Sequence, residues 1–152
     1  MNLGCKVLQT LEGKTLVTAE SITGGGIGMT ITANAGASEV YKGGVITYTN
    51  EAKEKILGVP HEMLETKGAV SAPVAEAMAE GVRKLLNADI AISVTGLAGP
   101  GGDEFGNPVG TVFIGYSDKN ETVSKEFHFV GNRSTVRQQT IIEALQEILV
   151  HN

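Results

Sequence analysis

The sequence predicts a three-layer α/β/α sandwich built on a mixed, mostly parallel five-stranded sheet with one strand antiparallel. Three observations lead there. Short β-rich apolar runs alternate with segments of helical periodicity, the pattern of a sheet covered by helices on both faces. Polar, glycine-rich segments begin where three of the predicted strands end, as expected when strands point the same way and leave a crevice at their carboxyl ends. The last two strands are joined by the tight turn Asp118-Lys119-Asn120-Glu121, which is too short for a parallel crossover, so one of them must run against the others.

The elements follow in order. Leu3 to Leu11 places Leu3, Val7, Leu8 and Leu11 on one helical face. Lys14 to Ala19 reads as a buried strand through Leu16 and Val17, and Thr23 to Ala33 as a helix opened by glycines. Gly44 to Thr49 is β-rich, and Asn50 is a suitable N-cap for a helix over Glu51–Leu57, stopped by Gly58 and Pro60. Ser71 caps the next helix, with Pro73 in its first turn and an apolar face of Val74, Met78, Val82, Leu85 and Leu86. Asp89 to Thr95 is another buried strand, and Gly110–Tyr116 and Thr122–Val130 form the hairpin. The final helix spans Asn132 to Val150, with Ile141, Leu145, Ile148 and Leu149 facing inward. The hairpin geometry brings Pro108–Gly110 and Gly131–Ser134 to the same rim as the glycine-rich segments.

Composition narrows the function. A chain of 152 residues with no composition break is expected to form one domain over residues 1–152. No apolar stretch approaches the ~20 residues of a membrane span, and no signal-peptide core follows Met1. A single cysteine, Cys5, excludes an internal disulfide and fits a cytoplasmic home. The net charge of −5, with 12 scattered basic residues and no tryptophan, argues against a nucleic-acid partner. The 20 glycines cluster at the strand ends instead of forming a linker, so they point to a site.

The first segment is Ala19-Glu20-Ser21-Ile22-Thr23-Gly24-Gly25-Gly26. Ser21 falls where backbone N–H groups and the positive end of a helix converge, a place that stabilises an oxyanion or an anionic ligand. Capping by Ser21 or Thr23 accounts for one hydroxyl. It does not account for three consecutive glycines that each weaken the first turn by up to about 1 kcal/mol.

The three histidines, His61, His128 and His151, have neither metal-ligand nor triad spacing. No Ser-x-x-Lys follows Ser21, and neither a Gly-x-Ser-x-Gly elbow nor a Gly-x-x-x-x-Gly-Lys phosphate loop is present. That leaves Tyr48 and Lys53 in the second segment, Tyr48-Thr49-Asn50-Glu51-Ala52-Lys53. To act as a base near neutral pH, Lys53 must titrate about three units below its usual ~10.4, which desolvation and the helix dipole can supply. Alternatively it stays charged and makes the Tyr48 phenol the proton shuttle, or it is simply a surface lysine beside Lys55. The third segment, Thr95-Gly96-Leu97-Ala98-Gly99-Pro100-Gly101-Gly102, suits a phosphate nest or a substrate-covering loop. Asp103 and Glu104 read as solvated carboxylates, so no metal is expected. Arg133 is either a phosphate partner through its planar fork or an exposed helix-end residue.

Ala19–Gly25, Tyr48–Lys53, Gly68-Ala69-Val70-Ser71, Thr95–Pro100 and Pro108–Val112, taken in order, resemble the CinA C-terminal-domain family, whose active members are nicotinamide-nucleotide amidases. The resemblance covers nearly the whole chain. It implies hydrolysis of nicotinamide mononucleotide to nicotinic acid mononucleotide and ammonia, with Ser21 as nucleophile and Tyr48 and Lys53 assisting. It also implies a five-stranded sheet with one reversed strand and a stand-alone form of a domain that many relatives carry behind a larger one. Ile22 stands where members often have cysteine, and Ala33–Ser38 departs from the usual Pro-Gly-Ser-Ser. The reading that results is a cofactor-free, homo-oligomeric amidohydrolase of a pyridine mononucleotide. Ser21, Tyr48 and Lys53 are its catalytic residues, and Thr23, Gly24, Gly25, Asn50, Thr95, Gly96, Gly99 and Arg133 bind substrate. Amides near Gly24–Gly26 or Gly96 hold the oxyanion, and Gly99–Gly102 with Arg133 cradles the phosphate. A non-catalytic nucleotide-binding module of the same fold is the alternative.

Overall fold

The computed structural model describes residues 1–152. Its five strands are β1 (Leu16–Glu20), β2 (Tyr41–Ile46), β3 (Ile90–Gly96), β4 (Thr111–Ser117) and β5 (Thr122–His128). They lie in the spatial order β2-β1-β3-β4-β5. β1 pairs in parallel with both β2 and β3, whereas β4 is antiparallel to β3 and to β5. One strand is therefore reversed and β5 returns to the common direction, as the hairpin required.

Six helices cover the sheet: α1 (Leu3–Thr10), α2 (Gly26–Thr32), α3 (Asn50–Leu57), α4 (His61–Lys67), α5 (Ala72–Leu85) and α6 (Arg133–Val150). Alternation along the strands sends side chains to two cores. Leu16, Ile92, Val94 and Ile114 pack with Val7, Ile27, Ile31, Leu145 and Ile148 of α1, α2 and α6. Val17, Ala19 and Ala91 pack with Leu57, Leu64, Val74, Met78 and Val82 of α3, α4 and α5. These are the three layers. The chain leaves β1 through α2 on one face to reach β2, then crosses through α3–α5 on the other face to reach β3. The order reverses between β1 and β3, and a crevice opens there beyond their carboxyl ends.

Several local expectations need correction. β2 starts and ends three residues earlier than the β-rich run suggested, so Tyr48 lies beyond the strand on a connecting segment. Thr49, not Asn50, caps α3, its hydroxyl accepting from the Ala52 N–H at 3.1 Å. The Ser71 hydroxyl turns back to donate to the Gly68 carbonyl at 2.8 Å and does not cap α5. Leu85 lies at the spacing of the buried stripe of α5 but is the last residue of the helix and is 53% exposed. Helix α4, short and flanked by Pro60 and Gly68, was not anticipated.

Candidate active site

Ser21 follows directly on the buried strand β1. Its N–H donates to the Val94 carbonyl of β3 at 3.1 Å, and its own carbonyl accepts from the Gly24 N–H at 3.1 Å, closing a tight turn over Ser21–Gly24. Gly24 and Gly25 then adopt φ of 59° and 103°, backbone that favours glycine, and this redirects the chain into α2. Glu20 holds the turn from within. It is 2% exposed, and its carboxylate accepts from Thr23 Oγ1 (2.6 Å), the Ile27 N–H (2.8 Å) and the Gly28 N–H (3.0 Å). The positive end of α2, expected to meet a ligand, is thus occupied by the protein's own carboxylate. The Gly24 and Gly26 amides, expected to hold an oxyanion, donate instead to the Ser21 and Thr23 carbonyls.

Lys53 approaches from the opposite layer. It lies on the inner face of α3 one turn before Leu57, and both are buried, whereas Lys55 points outward and pairs with Glu51 at 2.9 Å. Lys53 Nζ has three neighbours: Ser21 Oγ at 3.0 Å, the Thr47 carbonyl at 2.9 Å and the Tyr48 carbonyl at 3.3 Å. No carboxylate is among them. Lys53 is 1% exposed, and burial alone pushes its pKa down from 10.5 to about 8. A neutral amine has two N–H donors and one lone pair. The protonated form can donate to all three oxygens, and on losing a proton the amine keeps two N–H groups for the carbonyls and turns its lone pair to the Ser21 O–H.

The crevice above this pair is a cleft of about 310 Å³ lined by Ser21, Tyr48, Asn50, Lys53, Thr95, Gly96, Gly99 and Arg133 together with apolar neighbours. Eight of the residues singled out in the sequence therefore meet at one place. Arg133 crosses the mouth, donating to the Gly99 carbonyl at 2.8 Å and to the Tyr48 hydroxyl at 3.0 Å. Tyr48 touches Lys53 through its carbonyl, while its phenol is held by Arg133. Asn50, relieved of capping by Thr49, lines the cleft. Thr95 lines it while donating to the Ala69 carbonyl at 2.7 Å. Thr23, Gly24 and Gly25 lie outside the lining: the Thr23 hydroxyl is spent on Glu20, and the two glycines shape the turn.

Two residues with structural claims on the site were overlooked. Glu20 gave a signal, being an acid at the end of an otherwise uncharged strand that is buried at all five positions. Arg137 lies one helical turn after Arg133 and so on the same face of α6. Its Nε and guanidinium nitrogen donate to the Ile22 (3.1 Å) and Thr23 (3.3 Å) carbonyls. The apolar lining, including Ile22, Val70 and Leu97, was also unmarked.

Fold and site together define a mixed-sheet α/β protein with a buried serine–lysine pair at the switch point of its sheet. The model of the CinA C-terminal domain matches residues 4–151, and the chain belongs to that family. A CinA-like protein of Geobacter sulfurreducens is 48% identical over 134 residues, 88% of this chain and 32% of that protein. One from Parasynechococcus marenigrum is 46% identical over 151 residues, 97% of this chain and 36% of the other. The chain thus spans about a third of the length of these curated relatives. Among solved structures, a competence-damaged protein (CinA) superfamily protein from Escherichia coli superposes with a TM-score of 0.95 at 37% identity, covering 97% of this chain and 87% of that one. The competence/damage inducible protein of Agrobacterium tumefaciens gives 0.93 at 38% identity, covering 97% and 92%. No helix is long and apolar enough to cross a membrane.

Proposed function

We propose that this chain is an amidohydrolase that converts nicotinamide mononucleotide to nicotinic acid mononucleotide and ammonia. The observation that carries the reading is the buried Ser21–Lys53 pair at 3.0 Å. Serine is a weak nucleophile until a neighbouring base takes its proton, and a lysine with a pKa near 8 is such a base. Ser21 Oγ attacks the carboxamide carbon while its proton passes to Lys53 Nζ. The tetrahedral intermediate collapses as Lys53 returns that proton to the amine, which leaves as ammonia. A water then attacks the resulting ester, giving up its proton to Lys53. The acid product departs as Lys53 passes that proton back to Ser21 Oγ, which regenerates both groups.

The rest of the cleft suits the substrate class. Ile22, Ala69, Val70, Leu97 and Ala98 give apolar walls for a flat ring, and the cleft volume falls in the range of small-ligand sites. Arg133 at the mouth offers a fork for a phosphate, beside the glycines of the β3–β4 loop. Tyr48, its hydroxyl on Arg133, acts by orienting that fork, and Asn50 adds a side-chain amide to the lining.

The test is ammonia release from nicotinamide mononucleotide by the purified chain, run beside thermal-shift binding and the Ser21→Ala variant. The reading predicts release that Ser21→Ala abolishes. Stabilisation by the nucleotide with no ammonia identifies a binding module instead.

A further inference from the structure

An acyl transfer at Ser21 needs donors for the oxygen that becomes negative, and two of the expected glycine amides, those of Gly24 and Gly26, are already used. The Ile22 and Thr23 amides have no acceptor in the protein. Both sit in peptide units whose carbonyls are held: the Ser21 carbonyl by the Gly24 N–H, and the Ile22 carbonyl by Arg137 Nε. In a planar trans peptide the N–H points opposite to the C=O. Arg137 acts from α6, in the layer opposite Lys53, so the Thr23 N–H is turned away from α6.

Arg137 is half-buried, one turn beyond Arg133, and forms no ion pair. Its polar contacts are the two carbonyls of the nucleophile turn, at 3.1 and 3.3 Å. A charged fork spent wholly on backbone carbonyls fixes the orientation of the peptides that carry them.

We propose that the Ile22 and Thr23 amides are the oxyanion donors and that Arg137 is the positioning residue. It aims the Thr23 amide directly through the Ile22 carbonyl, and the Ile22 amide indirectly, by fixing the Thr23–Gly24 peptide whose N–H holds the Ser21 carbonyl. The inference rests on the amidase reading for its reaction, but not on the identity of the substrate. Misplacement of such donors by about 1 Å costs on the order of 100-fold in rate.

The experiment compares wild type, Arg137→Met and Arg137→Lys, each checked for native folding by circular dichroism and thermal unfolding. Two readouts are taken: ammonia release from nicotinamide mononucleotide, and affinity for pyridine-3-boronic acid. In the second, Ser21 Oγ bonds to boron as its proton passes to Lys53, giving a tetrahedral boronate with an oxygen at the oxyanion position. For Arg137→Met, kcat is expected to fall about 10- to 100-fold with KM within about twofold, and boronate affinity to fall in parallel. Arg137→Lys, which keeps the charge but not the fork, is expected to fall between.

Folded Arg137→Met with wild-type kcat and boronate affinity overturns the inference and leaves the amidase reading intact. A rise in KM alone also overturns it, since that marks a substrate contact. If wild type releases no ammonia, the amidase reading fails by itself. Boronate binding that depends on Ser21 and weakens in Arg137→Met then still supports the inference, and no boronate binding to wild type refutes it.

Discussion

Lys53 Nζ and Ser21 Oγ lie 3.0 Å apart, although 32 residues separate them and one comes from a helix packed on the face of the sheet and the other from the central sheet itself. Ser21 is fixed by β1 and its tight turn, and Lys53 by the inner face of α3, so the sheet itself sets their distance. A surface ion pair would gain little from such placement. For a buried amine with no carboxylate beside it, desolvation shifts the balance toward the neutral state.

Stability should report that state. Lys53 has a folded pKa lowered to about 8 against 10.5 when unfolded, so between these values the unfolded chain binds more protons. Its contribution therefore destabilises the fold below pH 8 and is relieved as pH rises from 8 to 10.5, by about 3 kcal/mol over the window. Urea unfolding at pH 7, 8.5 and 10 should show this rise in wild type and its loss in Lys53→Met. Parallel profiles for the two proteins would mean that Lys53 titrates normally.

Removing the nucleophile should separate chemistry from binding. Ser21→Ala is expected to lower kcat by at least about 10³-fold while nucleotide affinity by calorimetry stays within about threefold. Retained turnover would end the assignment of Ser21.

Tyr48 is expected to act on binding. Its phenol accepts from Arg133 at 3.0 Å and only its carbonyl meets Lys53. Tyr48→Phe should raise KM several-fold with kcat within about threefold, as expected for a contact made equally in ground and transition states. A collapse of kcat at constant KM would restore the phenol as proton shuttle.

Much of this was legible in the sequence because periodicity and turn length constrain topology. The tight turn at Asp118–Glu121 was enough to reverse β4 and to bring Arg133 to the same rim as Ser21 and Gly96. Contacts that depend on long-range packing were not legible. Nothing local to Thr49 and Asn50 decides which of them caps α3, because both are good caps and tertiary placement selects one. The glycines at 24–26 suggested an open anion site, yet whether a helix end is free depends on Glu20 from the neighbouring strand. Arg137 could not be linked to residues 114 and 115 positions earlier without the fold.

Glu20 should matter to stability more than a typical carboxylate. Glu20→Ala leaves the Thr23 hydroxyl and the Ile27 and Gly28 amides without their buried acceptor, a loss of roughly 3 kcal/mol or more. Denaturant titration measures it. A change below about 1 kcal/mol would show that water replaces the carboxylate easily.

The β3–β4 loop, which reaches the cleft at Gly99 and Gly101, can be tested through Gly68. Its φ is +81°, and an added Cβ would come within 2.6 Å of the Phe105 ring on the β3–β4 loop. Gly68→Ala is expected to cost about 1–2 kcal/mol and to raise KM as that loop shifts. Unchanged unfolding midpoint and KM would remove the loop's dependence on this contact.

The central claim is that the buried amine of Lys53 is the base that activates Ser21, and the most direct measurement is its own titration. The ε-carbon of Lys53, followed by NMR in ¹³C-lysine-labelled protein, should titrate at about 8, with the pH–rate profile for ammonia release rising through the same midpoint. A Lys53 resonance that titrates near 10.5 while the rate rises elsewhere would contradict the account.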